Sequence, residues 1–306
     1  MDREKVLGGI AGLCIGDAMG VPYEGFAREA MDREPLDEEN FLKNPGLWSD
    51  DSSLSLCLAK SLTGGFDLDD IARRFLMWLD EGYMTPEGEA FGIGRTTYIS
   101  LENLKKGVSP TKSGLKDEYS NGNGSLMRIL PAAFYTCSMD TGKKFDIVSK
   151  ISSVTHGHPR SIIACCIYVE TAAGILSGKG KIETYHDMKN TVKDFFKGHS
   201  QLSYFTRVLD GDIFNLDKGQ IRAGGYVIDT LEASLWSFLN KGSYGQTVLE
   251  AVNLGQDTDT TAAAAGGLAG TFYGISSVPK EWIDWLAKKD AILKIANDFH
   301  NSLQKR

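Results

Sequence analysis

The chain has 306 residues, 42% apolar and 24% charged, with a net charge of −7. This is the composition of an ordinary globular protein, long enough for one large domain or two small ones, and its acidic balance argues against a reader of a nucleic-acid backbone. Five cysteines (Cys14, Cys57, Cys137, Cys165, Cys166) are odd in number, lack CxxC spacing and lie in apolar runs, which fits small core residues in a reducing compartment better than a zinc site or a disulfide framework. No run reaches the ~18 apolar residues of a membrane span, and no cleavable leader is evident, so no membrane partner is expected and the expected location is cytoplasmic.

Residues 4–20 predict a helix carrying Gly8, Gly9, Gly12, Gly16 and Gly20. Glycine disfavours helix by about 1 kcal/mol relative to alanine, so close packing must justify it. Pro22 ends this helix, and Glu24 follows in a loop. Residues 28–47 are polar and acidic and read as a flap. An acidic helix start follows at Ser49-Asp50-Asp51-Ser52, then an amphipathic helix over 67–81 with Ile71, Phe75, Trp78 and Leu79 at helical spacing. Further helices are expected over 93–106, 144–154, 160–177, 183–197, 226–240, 244–253 and 280–303. Between them lie a polar Gly-rich segment ending at Asn121-Gly122-Asn123-Gly124-Ser125, which leads into a helix, and a less regular stretch over 198–220.

The run Ala262-Ala263-Ala264-Ala265-Gly266-Gly267-Leu268-Ala269-Gly270 matches the first helix in its lack of bulk, as two central helices crossing closely would. Asp257-Thr258-Asp259-Thr260 opens it. Carboxylates and hydroxyls at a helix start cap its free N–H groups, and that alone could explain them. A second acidic tip at Ser49–Ser52 changes the weighing. Four carboxylates buried together would repel, and hard divalent cations, which take oxygen ligands, would compensate. Strand signals are scarce: there is no sustained period-2 alternation and no GxGxxG after a strand. The expected fold is an all-α, single-domain bundle (1–306) of about a dozen helices.

Seven pieces in order complete the reading: Gly16-Asp17-Ala18-Met19-Gly20, Tyr23-Glu24-Gly25, Trp48-Ser49-Asp50-Asp51-Ser52, Phe91-Gly92-Ile93-Gly94-Arg95-Thr96-Thr97, Gly122-Asn123-Gly124-Ser125-Leu126-Met127-Arg128, Thr155-His156-Gly157-His158-Pro159 and Gly255-Gln256-Asp257-Thr258-Asp259-Thr260. Together they make the chain resemble the ADP-ribosylglycohydrolases over nearly its whole length. The resemblance implies an all-α fold around a binuclear Mg²⁺ or Mn²⁺ centre, with Ser49, Asp50, Asp51, Asp257, Asp259 and Thr260 as metal ligands. Ser49 stands where the family usually has Thr and keeps the hydroxyl. The resemblance also makes Asn123, Gly124, Ser125 and Met127 substrate-binding candidates, with the diphosphate held at the start of the helix after the loop, and His156 a partner of a ribose hydroxyl.

Glu24 is a candidate general base, with Asp259 the other catalytic candidate. Asp17, inside an apolar helix, reads as a hydrogen-bonded structural residue. Arg128 reads as the partner of an internal carboxylate, and His158 as structural or exposed. Tyr204 and Phe205 could stack on adenine but more simply belong to the core. One departure from the family pattern is Gly92, where many members carry Asp. Its loss removes a carboxylate that could meet a guanidinium, so arginine-, serine- and nucleobase-linked acceptors all stay open. The implied reaction is metal-dependent hydrolysis of the bond between ADP-ribose and an acceptor on a protein or small molecule, nucleic acid entering only as a modified acceptor. The competing reading is a non-catalytic relative that binds ADP-ribose or metal.

Overall fold

The computed structural model describes residues 1–38 and 40–305, leaving Glu39 of the expected flap and Arg306 outside the described residues. The helices are α1 (Arg3–Gly20), α2 (Arg28–Arg33), α3 (Asp50–Gly64), α4 (Leu68–Glu81), α5 (Arg95–Lys105), α6 (Pro110–Ser113), α7 (Leu130–Thr136), α8 (Thr141–Ser153), α9 (Pro159–Leu176), α10 (Lys181–Phe195), α11 (Thr206–Leu209), α12 (Val227–Asn240), α13 (Tyr244–Val252), α14 (Thr258–Tyr273), α15 (Lys280–Trp285) and α16 (Lys289–Leu303). Among the described residues the only strand-like pairings are three isolated bridges. The fold is all-α, as expected, and the count exceeds a dozen because α2, α6, α11 and α15 are single short turns.

The frame is the pair α1 and α14, antiparallel and in backbone contact. A Cβ on Gly8 would lie 2.3 Å from the Gly270 carbonyl oxygen, one on Gly12 2.6 Å from that of Gly266, one on Gly16 2.2 Å from that of Ala262, and one on Gly20 2.4 Å from Cα of Asp259. The four-residue spacing puts these glycines on one face of α1, and only a hydrogen fits between the helices there. The propensity cost of glycine is offset by contact along the whole pair. α9, α12 and α13 pack round the remaining faces of α14. Tyr168 donates its hydroxyl to the Ala264 carbonyl (2.8 Å) and Tyr244 donates to that of Gly12 (2.9 Å).

This register decides where the chemistry sits. It brings the last residue of α1 to the first turn of α14, and the Thr258 hydroxyl locks the two by donating to the Gly20 carbonyl (2.8 Å). The Glu24 turn is stitched to the turn before α14: Gly25 N–H donates to Gln256 O and Gln256 N–H to Phe26 O, both at 2.7 Å. Gln256 holds φ +64 to do so, a left-handed conformation that a non-glycine residue adopts at a cost.

Four expectations need correction. The flap over 28–47 contains α2 and a 3₁₀ turn, Asn40–Lys43. The single helix over 280–303 is two: Leu286 turns extended, Ala287 N–H donates to Gly46 O (2.9 Å), and Lys288 at φ +45 opens α16. The loop at 121–125 does not run straight into a helix, because residues 124–128 form turns and α7 starts at Leu130. Two segments, Arg3–Tyr23 and Pro159–Leu176, are long and apolar enough to cross a membrane, contrary to the reading of the sequence. Both are mostly buried inside the fold, which accounts for their apolar character. The five cysteines are free, and all but Cys137 are buried.

Candidate active site

The tips of α3 and α14, some two hundred residues apart in sequence, meet. The Thr260 hydroxyl lies 3.5 Å from Asp51 Oδ2, and one carboxylate oxygen from each of Asp17, Asp51 and Asp259 falls within 4.8 Å of the others. Capping does not account for the acidic residues of α14. Asp257 is the N-cap but makes no capping bond; it accepts instead from the Asn123 side-chain amide (2.8 Å). At α3 the capping is done by Ser49, which accepts from Asp51 N–H (3.3 Å), leaving the two aspartates of the first turn for other work.

Asp17 has a different part. Its carboxylate accepts from Ser49 N–H (3.0 Å) and Oγ (2.9 Å), and from Ser52 N–H (2.9 Å) and Oγ (2.5 Å). It is fully buried and saturated with donors, so it fixes the turn that aims Asp50 and Asp51. This agrees with the structural reading. Burial still pushes its carboxyl up, to about 6. Asp50, Asp51 and Asp259 are raised well above the usual carboxylate range, first by burial and then by a neighbouring charge, that of Asp17 on Asp50 and Asp51 and that of Asp257 on Asp259.

Asp51 Oδ1 and Asp259 Oδ1 are buried without any hydrogen-bond partner. No Lys, Arg or His of the described residues pairs with this cluster. Orphaned buried acceptors of like charge are costly. An all-oxygen set of carboxylates and hydroxyls is what a hard divalent cation takes. The residues present therefore fit a metal ion.

A cavity of about 320 Å³ opens onto this cluster. Of the residues expected at a site, it is lined by Glu24, Asp50, Asp257, Asp259 and Thr260 at one end, and by Asn123, Gly124, Met127 and His156 at the other. Ser49 and Asp51 lie just behind the wall. Glu24 is exposed there, and its carboxylate has no hydrogen bond or ion pair among the described residues; partial burial and the Asp257 charge raise its carboxyl. Asn123 spends both amide hydrogens inside the protein, on Asp257 and on the Thr230 hydroxyl (2.8 Å each), so it positions Asp257. Ser125 is off the wall: its side chain is fully buried and meets the Cys165 thiol at 3.5 Å.

Arg128 makes no ion pair among the described residues, contrary to expectation. Its guanidinium is fully buried, donates to the Gly124 carbonyl and to Thr155 Oγ1 (2.7 Å), and lies over the Phe75 ring at 4.9 Å. Burial lowers its pKa only to about 10, so it stays charged. His158 caps α9, accepting from Arg160 N–H (3.1 Å). Tyr204 stacks on Arg160 at 3.6 Å and Phe205 is core, and neither reaches the cavity.

The sequence reading missed Arg95, Thr97, Tyr119 and Gly225 on the cavity wall. Arg95 and Thr97 lay inside a quoted motif, whereas Tyr119 (92% exposed) and Gly225 carry no local signal. The departure at Gly92 has a steric side. At φ +80, a Cβ there would stand 2.6 Å from Asp50 Oδ1.

A family model, ADP-ribosylglycohydrolase, matches residues 1–306. The chain is 33% identical over 306 residues to an ADP-ribosylarginine hydrolase of Pseudomonas putida, covering 97% of this chain and 78% of that protein. It is 27% identical over 311 residues to the ADP-ribosyl-[dinitrogen reductase] glycohydrolase of Rhodospirillum rubrum, covering 96% and 97%. A solved ADP-ribosylglycohydrolase-related protein complex superposes with a TM-score of 0.81 at 28% identity, over 98% of both chains. With the paired glycine-faced helices, the two acidic tips that meet and a match along the full length, the chain belongs to the ADP-ribosylglycohydrolase family.

Proposed function

We propose that this chain is a divalent-cation-dependent hydrolase that cleaves the bond between the anomeric carbon of ADP-ribose and an acceptor, releasing ADP-ribose. The observation that carries it is the pair of orphaned carboxylate oxygens, Asp51 Oδ1 and Asp259 Oδ1, behind a cavity with hydrogen-bond donors at its other end. Ser49, Asp50, Asp51, Asp257, Asp259 and Thr260 would hold two cations, Mg²⁺ or Mn²⁺. Bound there, such ions supply the positive charge the cluster lacks and polarise the oxygens they touch.

The chain's own residues do the rest. Glu24, whose raised carboxyl has no hydrogen-bond partner among the described residues, is positioned to take the proton of an attacking water. The carboxylates beside it stabilise positive charge as the glycosidic bond breaks, since that transition state has oxocarbenium character. The Gly122–Ser125 loop holds the diphosphate with its backbone: the N–H of Gly124, on the cavity wall, has no acceptor among the described residues.

For the acceptor, the Pseudomonas putida relative bears the name of an arginine-linked substrate. Glu24 supports the same assignment here, as a carboxylate on the wall that can meet a guanidinium where Gly92 offers none. The acceptor would be a modified protein side chain or a small molecule, turned over in the cytoplasm.

Incubation with arginine-, serine- and nucleobase-linked ADP-ribose, with Mg²⁺ or Mn²⁺ and then with chelator, tests this through free ADP-ribose. Chelator-sensitive release from the arginine-linked substrate is the expected result. Release from none of them, with ADP-ribose still raising the melting temperature, would replace the enzyme by a binding protein.

A further inference from the structure

We propose that Arg128 and Thr155 hold His156 as its Nε2–H tautomer, so that the imidazole presents a fixed hydrogen-bond donor to an anionic oxygen of the ligand in the cavity. The tautomer stands on geometry alone; the identity of the ligand rests on the function proposed above.

A guanidinium has only donors. Arg128 Nη2 donates to Thr155 Oγ1 at 2.7 Å, so this hydroxyl accepts. Its own hydrogen then needs an acceptor, because Thr155 is fully buried and an unpaired buried hydroxyl is costly. The other atom within reach of Oγ1 is His156 Nδ1, at 2.8 Å. Oγ1–H therefore donates to Nδ1, which must be bare, and the proton of the neutral ring sits on Nε2. The imidazolium is disfavoured independently, since burial and the nearby Arg128 charge hold the pKa down at about 3.

Nε2 has no partner within the protein among the described residues, and His156 lines the cavity. Its ring lies against two glycines: a Cβ on Gly124 would stand 2.9 Å from Cε1, and one on Gly122 3.6 Å from Nε2. Arg128 also donates to the Gly124 carbonyl, so one guanidinium sets both the tautomer and the loop. Unpaired among the described residues on this wall are the His156 Nε2–H and the N–H of Gly124, with a permanent positive charge buried behind them. Donors set in front of a buried positive charge favour an anionic acceptor, and in ADP-ribose the anionic oxygens are those of the diphosphate. Arg128 and Thr155 are thus positioning residues that act through His156.

The test is ¹⁵N NMR of the full chain labelled at its five histidines, with the His156 signal assigned by its loss in His156→Gln. The wild type should show a neutral ring protonated at Nε2. Thr155→Ser, which keeps the hydroxyl, should preserve that state. Thr155→Val, close in shape, should shift protonation toward Nδ1 and weaken ADP-ribose binding about tenfold, the worth of one hydrogen bond to a charged group. A wild-type signal from an Nδ1–H ring or an imidazolium, or an unchanged tautomer in Thr155→Val, would overturn the proposal. Failure of the wild type to bind ADP-ribose would sink the functional reading and the ligand half of this one, whatever the spectrum shows.

Discussion

The two ends of the cavity are both buried and polar, yet they are finished to different degrees. At the donor end, the Gly124 carbonyl, Thr155 Oγ1 and His156 Nδ1 each have a partner within the chain, and a buried Arg128 supplies fixed positive charge. At the acidic end, Asp50, Asp51 and Asp259 are raised by burial and by the charges of Asp17 and Asp257, and two of their oxygens have no hydrogen-bond partner. The donor end holds its charge and its ring in place as folded, and what it leaves open are donors, the His156 Nε2–H and the Arg128 Nε among them. The acidic end is complete only when something positive joins it. Asn123 links the two, sitting in the donor loop with its amide on Asp257.

The largest effect should come from the acidic end. Asp51→Asn or Asp259→Asn should lower turnover by about a thousandfold or more, the scale of losing a group that stabilises transition-state charge. The same change relieves repulsion between buried carboxylates, so in chelator either variant should melt above the wild type. Turnover near the wild-type rate, or a lower melting point in chelator, would break the contrast between the ends. Next comes the frame that holds them together. Gly16→Val drives a side chain into the Ala262 carbonyl and should cost about 3 kcal/mol or more, the upper range of overpacking, seen as loss of the native denaturation transition.

Chelation should act on one end alone. A cation at a hundred times its Kd stabilises by about 2.7 kcal/mol, so its removal should lower the melting temperature by roughly 5 °C or more. The His156 NMR signal at the donor end should stay unmoved. A smaller loss is expected from Asn123→Ala, which takes from Asp257 a side-chain amide donor. A hydrogen bond to a charged group is worth about 1.5–3 kcal/mol, so turnover should fall between about ten- and a hundredfold while ADP-ribose affinity changes less. An equal fall in both would place Asn123 on the ligand instead.

The sequence displayed the acidic end far better than the donor end, for a physical reason. Helix starts are local: Ser49-Asp50-Asp51 and Asp257-Thr258-Asp259 can be recognised within four residues, and the glycine face of α1 within one helix. What finishes the donor end is not local. Thr155 and Arg128 stand 27 residues apart, and neither carries a sign that the other will set its hydroxyl. Arg128 was read as needing a carboxylate because buried charges usually do; here carbonyl, hydroxyl and ring share the task. The break at Leu286–Lys288 was hidden for the same reason. It depends on Gly46 accepting from Ala287, a partner no helical period reveals.

The smallest expected effect separates backbone from side chain at the donor end. Ser125 belongs to the loop that reads as a diphosphate cradle, and a hydroxyl there invites assignment as a ligand contact. Its side chain is fully buried and faces the Cys165 thiol, while its N–H has no partner among the described residues. Ser125→Ala removes the hydroxyl and leaves the N–H. Both turnover and ADP-ribose affinity should stay within about twofold of the wild type, and stability should fall by no more than about 1 kcal/mol, the net worth of one ordinary hydrogen bond. Isothermal titration with ADP-ribose and a urea melt would measure the two. A tenfold loss of affinity without loss of stability would mean that the hydroxyl turns into the cavity when ligand binds, and that the donor end is less finished than its hydrogen bonds imply.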